Sequence, residues 1–295
     1  MDYPALRNWR FEDRRQRYTQ RDTMLYALGL GFGDDPLDQE QLRFVTENEL
    51  RAIPAMVSVL CSPGLWLADP RTGVNWVRAV HGEQDIRLIG VLPSEGEVVG
   101  SNEVVAIADK GEGRGALIRL RRRLFQADAD SSTAIGEVIQ TLFLRDEGGF
   151  SASGEAASEP LETLPVFQAD GPADVTIDLA TLPQAALIYR LSGDYTPLHS
   201  DPKVAATAGF QRPILHGLCT FGMAFRATLA GLCGYRTECV RRLAARFTAP
   251  VFPGETVRFE FWRQDEIQYR LIATIPERDA VVLSNGIVEL IEELQ

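Results

Sequence analysis

Groups able to move protons concentrate in one stretch, Tyr189-Arg-Leu-Ser-Gly-Asp194-Tyr-Thr-Pro-Leu-His199-Ser-Asp-Pro202. The chain has three histidines, His81, His199 and His216, and two of them belong to this region. Gly193 and Pro197 bracket a tight, nonhelical turn that can hold Asp194 and His199 on one side of the chain although they are five residues apart. A carboxylate and a near-neutral base facing one cavity are the equipment for paired proton transfer. By themselves the two residues fit equally an aspartate capping a turn and a histidine satisfied as an ordinary polar residue. Further along, Gly209-Phe-Gln-Arg-Pro-Ile-Leu-His216-Gly217-Leu-Cys-Thr-Phe-Gly222 leads into an apolar helix. Gly217 falls in its first turn, where unpaired backbone N–H groups and the positive end of the helix dipole can bind a developing oxyanion. Its missing side chain lets a ligand carbonyl approach closely, and close packing of helix on sheet would also account for a glycine there. An acid, a base and an oxyanion donor thus occur in one compact stretch of chain.

The elements that must position these residues come in two sets. Residues 148–174, GGFSASGEAASEPLETLPVFQADGPAD, are rich in Gly, Ala, Ser, Pro and acids and lack an apolar period, so they read as a linker between residues 1–147 and 175–295. In the first half, Tyr18 to Leu30 has helical spacing and is followed by the breakers Gly31, Gly33 and Pro36. Ile53 to Leu67 reads as a second helix, confined between Pro54 and Pro63. Four alternating or β-branched segments follow, at residues 85–92, 97–108, 116–125 and 134–145. The second half repeats the order: apolar Ala185 to Leu191, the polar motif, a helix from about Gly217 to Leu232, then strands. In these, Val257, Phe259 and Phe261 share one face, and Tyr269, Leu271 and Ala273 alternate in the same way. Helix followed by meander, twice, implies a doubled α+β unit in which each sheet wraps its own helix.

A chain of 295 residues with 45% hydrophobic and 24% charged residues can bury a sizeable core. Its net charge of −11 disfavours a polyphosphate partner, so nucleic acid is not expected. Cys61, Cys219, Cys233 and Cys239 show no metal or redox spacing and read as reduced, mostly buried thiols. No window is long and apolar enough for a membrane span, and the charged N-terminus lacks an apolar h-region; a soluble, unexported, cytoplasmic protein is expected. Gly29-Leu-Gly31-Phe-Gly33-Asp34 lacks both the last glycine and the preceding strand of a dinucleotide loop. His81 reads as structural, and His216 as fixing the entry of the helix.

The runs Gly193-Asp194-x-x-Pro197-Leu198-His199-x-Asp201-Pro202 and Pro213-Ile-Leu-His216-Gly217-Leu-Cys-Thr-Phe-Gly222 resemble the signature of the MaoC-like, (R)-specific enoyl-CoA hydratases, or hydratase 2. Arg246-Phe247-x-x-Pro250-Val-x-Pro253-Gly254-Glu255 extends the likeness. Tyr18-x-x-Arg21-Asp22-x-Met24-Leu25-Tyr26-Ala27-Leu28-Gly29-x-Gly31 and His81-Gly82-Glu83-Gln84 resemble the noncatalytic half of the eukaryotic-type double-hotdog members. The resemblance implies a double hotdog, two antiparallel sheets each wrapped around a long central helix. It also implies reversible syn hydration of trans-2-enoyl-CoA to (3R)-3-hydroxyacyl-CoA, with Asp194 and His199 as the catalytic pair and Gly217 as oxyanion donor. The implied partner is an acyl-CoA thioester; CoA is part of the substrate, and neither cofactor nor metal is expected. The family usually has Asn where this chain has Thr196, which offers one hydroxyl on a stiffer stem. Thr196, Arg226 and Arg246 are the candidate substrate-binding residues, the two arginines for the phosphates, although both also fit ordinary surface positions. The first half, with Met56, Val57, Val59 and Leu60, is expected to shelter the acyl chain, and a homodimer is expected. A hotdog thioesterase and a noncatalytic acyl-CoA-binding subunit are the alternatives.

Overall fold

The computed structural model describes residues 1–127, 134–154 and 156–291. In chain order the first half holds α1 (Tyr3–Arg7), β1 (Arg14–Tyr18), α2 (Gln20–Gly29), α3 (Gln39–Leu42), β2 (Ala79–Leu88), β3 (Gly96–Asp109), β4 (Ala116–Gln126) and β5 (Ala134–Leu144). The second holds β6 (Val175–Ala180), α4 (Ala185–Tyr189), α5 (Pro202–Thr207), α6 (Gly217–Leu232), β7 (Val240–Phe247), β8 (Thr256–Arg263), β9 (Gln268–Ile275) and β10 (Ala280–Leu290). The strands form one antiparallel sheet in the order β1-β3-β4-β5-β2-β7-β10-β9-β8-β6. The two expected sheets therefore meet edge to edge at β2 and β7, each covering an edge of the other that would otherwise be open to pairing.

α6 forms where the sequence places it. His216 stays extended as its N-cap, and Cys219 to Leu229 are all buried, as expected of a helix apolar all round and enclosed by its sheet. It stops where Gly234 and Tyr235 turn left-handed, with φ of 54° and 60°. The first half differs from its expectation. Tyr18 belongs to a strand, and α2 starts only at Gln20, where the Asp22 carboxylate accepts from the Thr19 N–H and hydroxyl, each at 2.8 Å. Between Ile53 and Leu67 the expected helix reduces to a short 3-10 turn, Pro54–Ser58, which packs against β2, β5 and α6, and a second one over Trp66–Ala68. Cys61 turns to a φ of 52° ahead of Pro63, so no α-helix can propagate.

At the seam the two faces of the sheet separate chemically. Gln84 and Ile86 of β2 lie beside Ala245 and Leu243 of β7 on the face that carries the apolar core. Glu83 and Asp85 point to the other face and hold arginines of β7: Arg246 reaches Glu83 at 2.7 Å and Arg242 reaches Asp85 at 2.9 Å. Residues from the 148–174 stretch close over that face. The Leu164 N–H donates to Glu83, Arg119 donates to the Glu162 carbonyl, and Arg270 donates to the Pro165 carbonyl. This explains how two carboxylates come to be buried in mid-strand: each has a cation, and extended chain excludes the water.

Candidate active site

The Asp194–His199 segment is built from two 3-10 turns, Arg190–Ser192 and Pro197–His199, joined through Gly193. Gly193 has φ of 119°, a conformation that side chains resist, and Pro197 at the start of the second turn supplies a preset φ. Between them Asp194 folds over its own backbone. Its Oδ1 accepts from the Thr196 N–H at 3.1 Å and the Thr196 hydroxyl at 2.6 Å. On the far side, Asp201 caps α5 by accepting from the Lys203 N–H, which fixes the exit of the turn.

His216 joins this turn to α6. Its ring stacks on that of His199, centroids 3.7 Å apart, and its Nε2 lies 3.1 Å from the Asp194 carbonyl. Beyond fixing the entry of α6, His216 is a wall of the site. His199 Nδ1 lies 2.9 Å from the Ile214 carbonyl. A carbonyl only accepts, so Nδ1 carries the proton and Nε2 keeps its lone pair. The same logic puts the proton of His216 on Nε2, leaving Nδ1 buried without a partner among the described residues. Side-chain ligand atoms of Asp194, His199 and His216 all lie within 4.8 Å of one another, a spacing that suits one shared water and would also suit a cation.

Burial pushes the His199 imidazolium down, only partly offset by the Ile214 carbonyl and Asp194. Burial and the neighbouring His199 bring His216 down to about 4. Burial acts to raise the Asp194 carboxyl, but the two Thr196 hydrogen bonds and the imidazoles outweigh it and hold Asp194 below the ordinary carboxylate range. Near neutral pH the pair is an ionised aspartate beside a neutral histidine with a free ring nitrogen.

Gly217 is the first residue of α6 and is exposed. Its N–H has no acceptor among the described residues. The Phe247 ring lies where a side chain would go: a Cβ on Gly217 would meet it at 3.3 Å. The helix terminus therefore offers an unpaired donor beside the Phe247 ring, on which a side chain at residue 217 would press.

The arginine expectations need correction. Arg226 is 2% exposed, and its guanidinium donates to Asp34 at 2.8 Å, Gln41 at 2.9 Å and the Leu30 carbonyl. Gly31, at φ of 83°, leaves room for it, since a Cβ there would sit 2.8 Å from Nη1. Arg226 thus ties the glycine-rich loop after α2 to α6, which accounts for that loop without a nucleotide. Arg246 is held by Glu83 across the seam. Both cations already have carboxylates, leaving little positive charge for phosphates. The Thr196 hydroxyl is engaged by Asp194, so this residue positions the carboxylate. Sequence reasoning also missed Tyr189, whose ring packs 5.1 Å from that of His216, because an aromatic in an apolar run gives no sign of which wall it joins.

Residues 166–281 match the MaoC like domain, and residues 16–146 match the MFE-2 hydratase 2 N-terminal domain. The chain is 41% identical over 284 residues to 3-hydroxyacyl-thioester dehydratase Y of Mycobacterium tuberculosis, covering 93% of each. It is 33% identical to the peroxisomal enoyl-CoA hydratase 2 of Arabidopsis thaliana, over 94% of this chain and 91% of that one. Among solved structures, the MaoC-like dehydratase from Phytophthora capsici superposes with a TM-score of 0.84 at 29% identity, over 99% of this chain and 100% of that one. A sheet of two joined halves, a turn bearing aspartate and histidine, and relatives aligned across both halves lead to one conclusion: this chain belongs to the MaoC-like hydratase 2 family of double-hotdog hydro-lyases.

Proposed function

We propose that this chain is an (R)-specific 2-enoyl-CoA hydratase that interconverts trans-2-enoyl-CoA and (3R)-3-hydroxyacyl-CoA by syn addition or loss of water. The observation that carries the reading is an ionised Asp194 and a neutral His199, with Nε2 free, at one edge of the α6 N-terminus that bears the unpaired Gly217 N–H. Relatives named for dehydration and for hydration support it, since the two names describe one reversible reaction.

The residues assign themselves to steps. The thioester carbonyl accepts from Gly217 N–H, and as water adds at C3 the charge that develops on that oxygen is stabilised, by about 2.7–4 kcal/mol if the donor behaves as others do. Asp194 and His199 hold the water between them. Neither group starts with a proton to give: the aspartate is ionised, and the one N–H of His199 faces the Ile214 carbonyl. The proton that reaches C2 is therefore the one taken from the water, passed by the pair on the same face, and all atoms of the water end in the product. General acid–base assistance of this kind contributes about 10²–10⁴ in rate. The chemistry needs no cofactor; CoA belongs to the substrate. The first half, through the buried Met56, Val57 and Leu60, is the acyl-accommodating half of the same reading, and a cytoplasmic homodimer is its expected working form.

The test follows the loss of the enoyl-thioester absorbance with trans-2-enoyl-CoAs of four to ten carbons, with chiral analysis of the products. The reading expects 3R product and a kcat/KM that rises with chain length, since each buried methylene contributes about 0.8 kcal/mol. A 3S or racemic product sinks it. Release of CoA from a saturated acyl-CoA without hydration would make the chain a thioesterase instead.

A further inference from the structure

A buried polar group of the first half lies on the core face of the sheet without a partner among the described residues. Gln84 of β2 is 0% exposed, and neither its Oε1 nor its Nε2 has a hydrogen-bond partner among the described residues. A buried primary amide with donor and acceptor both unmet is rare and costly in a folded protein.

The strand register shows where that amide points. Gln84 pairs with Ala245 of β7, two residues before Phe247, so both lie on the core face with α6. β2 also carries an irregularity. His81 pairs with Leu142 of β5 and Glu83 with Thr141, leaving Gly82 as an extra residue. A bulge of this kind resets the alternation of side chains, so His81 joins Gln84 on the core face instead of pointing away with Glu83. The ring contacts agree: His81 packs 4.7 Å from Phe247, the same ring that lies against Gly217. Burial disfavours the His81 imidazolium, while the Glu83 carbonyl, a contact with the Gln84 amide that falls outside hydrogen-bond geometry, and the Asp194 carboxylate favour it. His81 Nε2 lies 3.1 Å from the Glu83 carbonyl, so it carries the proton and Nδ1 is left as a lone pair. The bulge thus turns the His81 imidazole onto the core face that carries the Gln84 amide, beside the Phe247 ring that lies against Gly217.

Resting on the hydratase reading, we propose that Gln84 is a substrate-contacting residue: its amide hydrogen-bonds the bound enoyl thioester or its water opposite Asp194 and Gly217, so that one active site is assembled from both halves. The partner that Gln84 lacks is then the ligand. Thr196, whose hydroxyl is turned to Asp194, supplies no amide at the site, and Gln84 is a side-chain amide with both ends available there.

The experiment compares the wild-type protein with Gln84→Met, which keeps length and removes both polar atoms. Three readings are taken: kcat and KM with trans-2-enoyl-CoA, Tm alone, and the rise in Tm caused by saturating 3-hydroxyacyl-CoA. Losing an unpartnered buried amide does not weaken the free protein, so Tm stays level or rises. Losing a contact made only to ligand lowers kcat/KM at least about fivefold and shrinks the ligand-induced rise in Tm. Both changes with an unaltered Tm support the proposal. A kcat/KM within twofold of wild type together with a full ligand-induced rise in Tm overturns it, and identifies the partner of Gln84 as a structural water. A marked fall in the Tm of the free variant also overturns it, because the amide then holds the fold. If the wild-type chain binds 3-hydroxyacyl-CoA but hydrates no enoyl-CoA, the hydratase reading fails by itself, and the ligand-induced shift still decides the role of Gln84.

Discussion

The two halves share a sheet but solve different problems behind it. In the second half, β7 to β10 and β6 enclose α6, sixteen residues long and buried from Cys219 to Leu229, and its N-terminus presents Gly217. In the first half, the Ile53–Leu67 stretch yields only short 3-10 turns before and after a left-handed Cys61. A long helix gives a rigid, polarised terminus at a defined place, as a site for a developing oxyanion requires. A short turn gives neither dipole nor rigidity, and its Met56 and Val57 are buried in the core under the sheet. The lesson is a division of structure: the half with the long helix carries the Asp194–His199 turn and the Gly217 terminus, and the half with short turns carries the bulged β2 beside them.

The comparison breaks most readily at the catalytic turn. Asp194→Asn and His199→Gln retain size and remove proton transfer, so each is expected to lower kcat by at least about 10²-fold with Tm nearly unchanged. Near-normal turnover in either variant would take that residue out of the mechanism and shift the chemistry away from the second half.

The next largest effect concerns the seam that makes the halves one body. Arg246→Met leaves Glu83, 5% exposed, with Arg119 at 3.7 Å as its one cation among the described residues. Breaking a buried pair costs about 3–5 kcal/mol; with Arg246 one-third exposed, about 2–3 kcal/mol is expected, read as a lower Tm in a single unfolding transition. Two separate transitions would show instead that the halves fold independently and that the seam couples them only loosely.

The smallest effect is a graded one with pH. His216 of the second half and His81 of the first are both held neutral by burial, each brought down to about 4 from the ordinary value near 6.5. Between those two values the unfolded chain takes up protons that the folded chain refuses. The stabilisation is therefore whole above pH 6.5 and is lost as pH falls toward 4. Tm should decline across that window, and His81→Gln should make the decline shallower while leaving the contribution of His216. An unchanged slope in that variant would mean that His81 titrates as an exposed imidazole and is not part of the enclosed wall.

Much of this was legible in the chain itself. Gly193, Asp194, Pro197 and His199 encode their turn locally, because a left-handed residue, an acid that folds onto its own backbone and a preset φ act over a few residues. The mostly apolar run from Leu218 to Leu232, free of proline, likewise determines α6. Strands β3, β4, β5, β8 and β9 followed from alternation, whereas β1 and β6 were not foreseen and β2 begins at Ala79, ahead of the expected Asp85, where the bulge at Gly82 breaks the period. Tertiary structure alone decided the rest. Arg226 and Arg246 look like free cations until Asp34 and Glu83, both distant in sequence, occupy them. Ile53 to Leu67 carries an apolar pattern that fits a helix, yet its prolines and its packing against α6 and β2 select short turns. His81 meets Phe247, and Gln84 pairs with Ala245, only because β2 is laid beside β7. A residue's local pattern reports its element and face; which charges and lone pairs it meets depends on contacts made more than a hundred residues away, and these exist only once the sheet has closed.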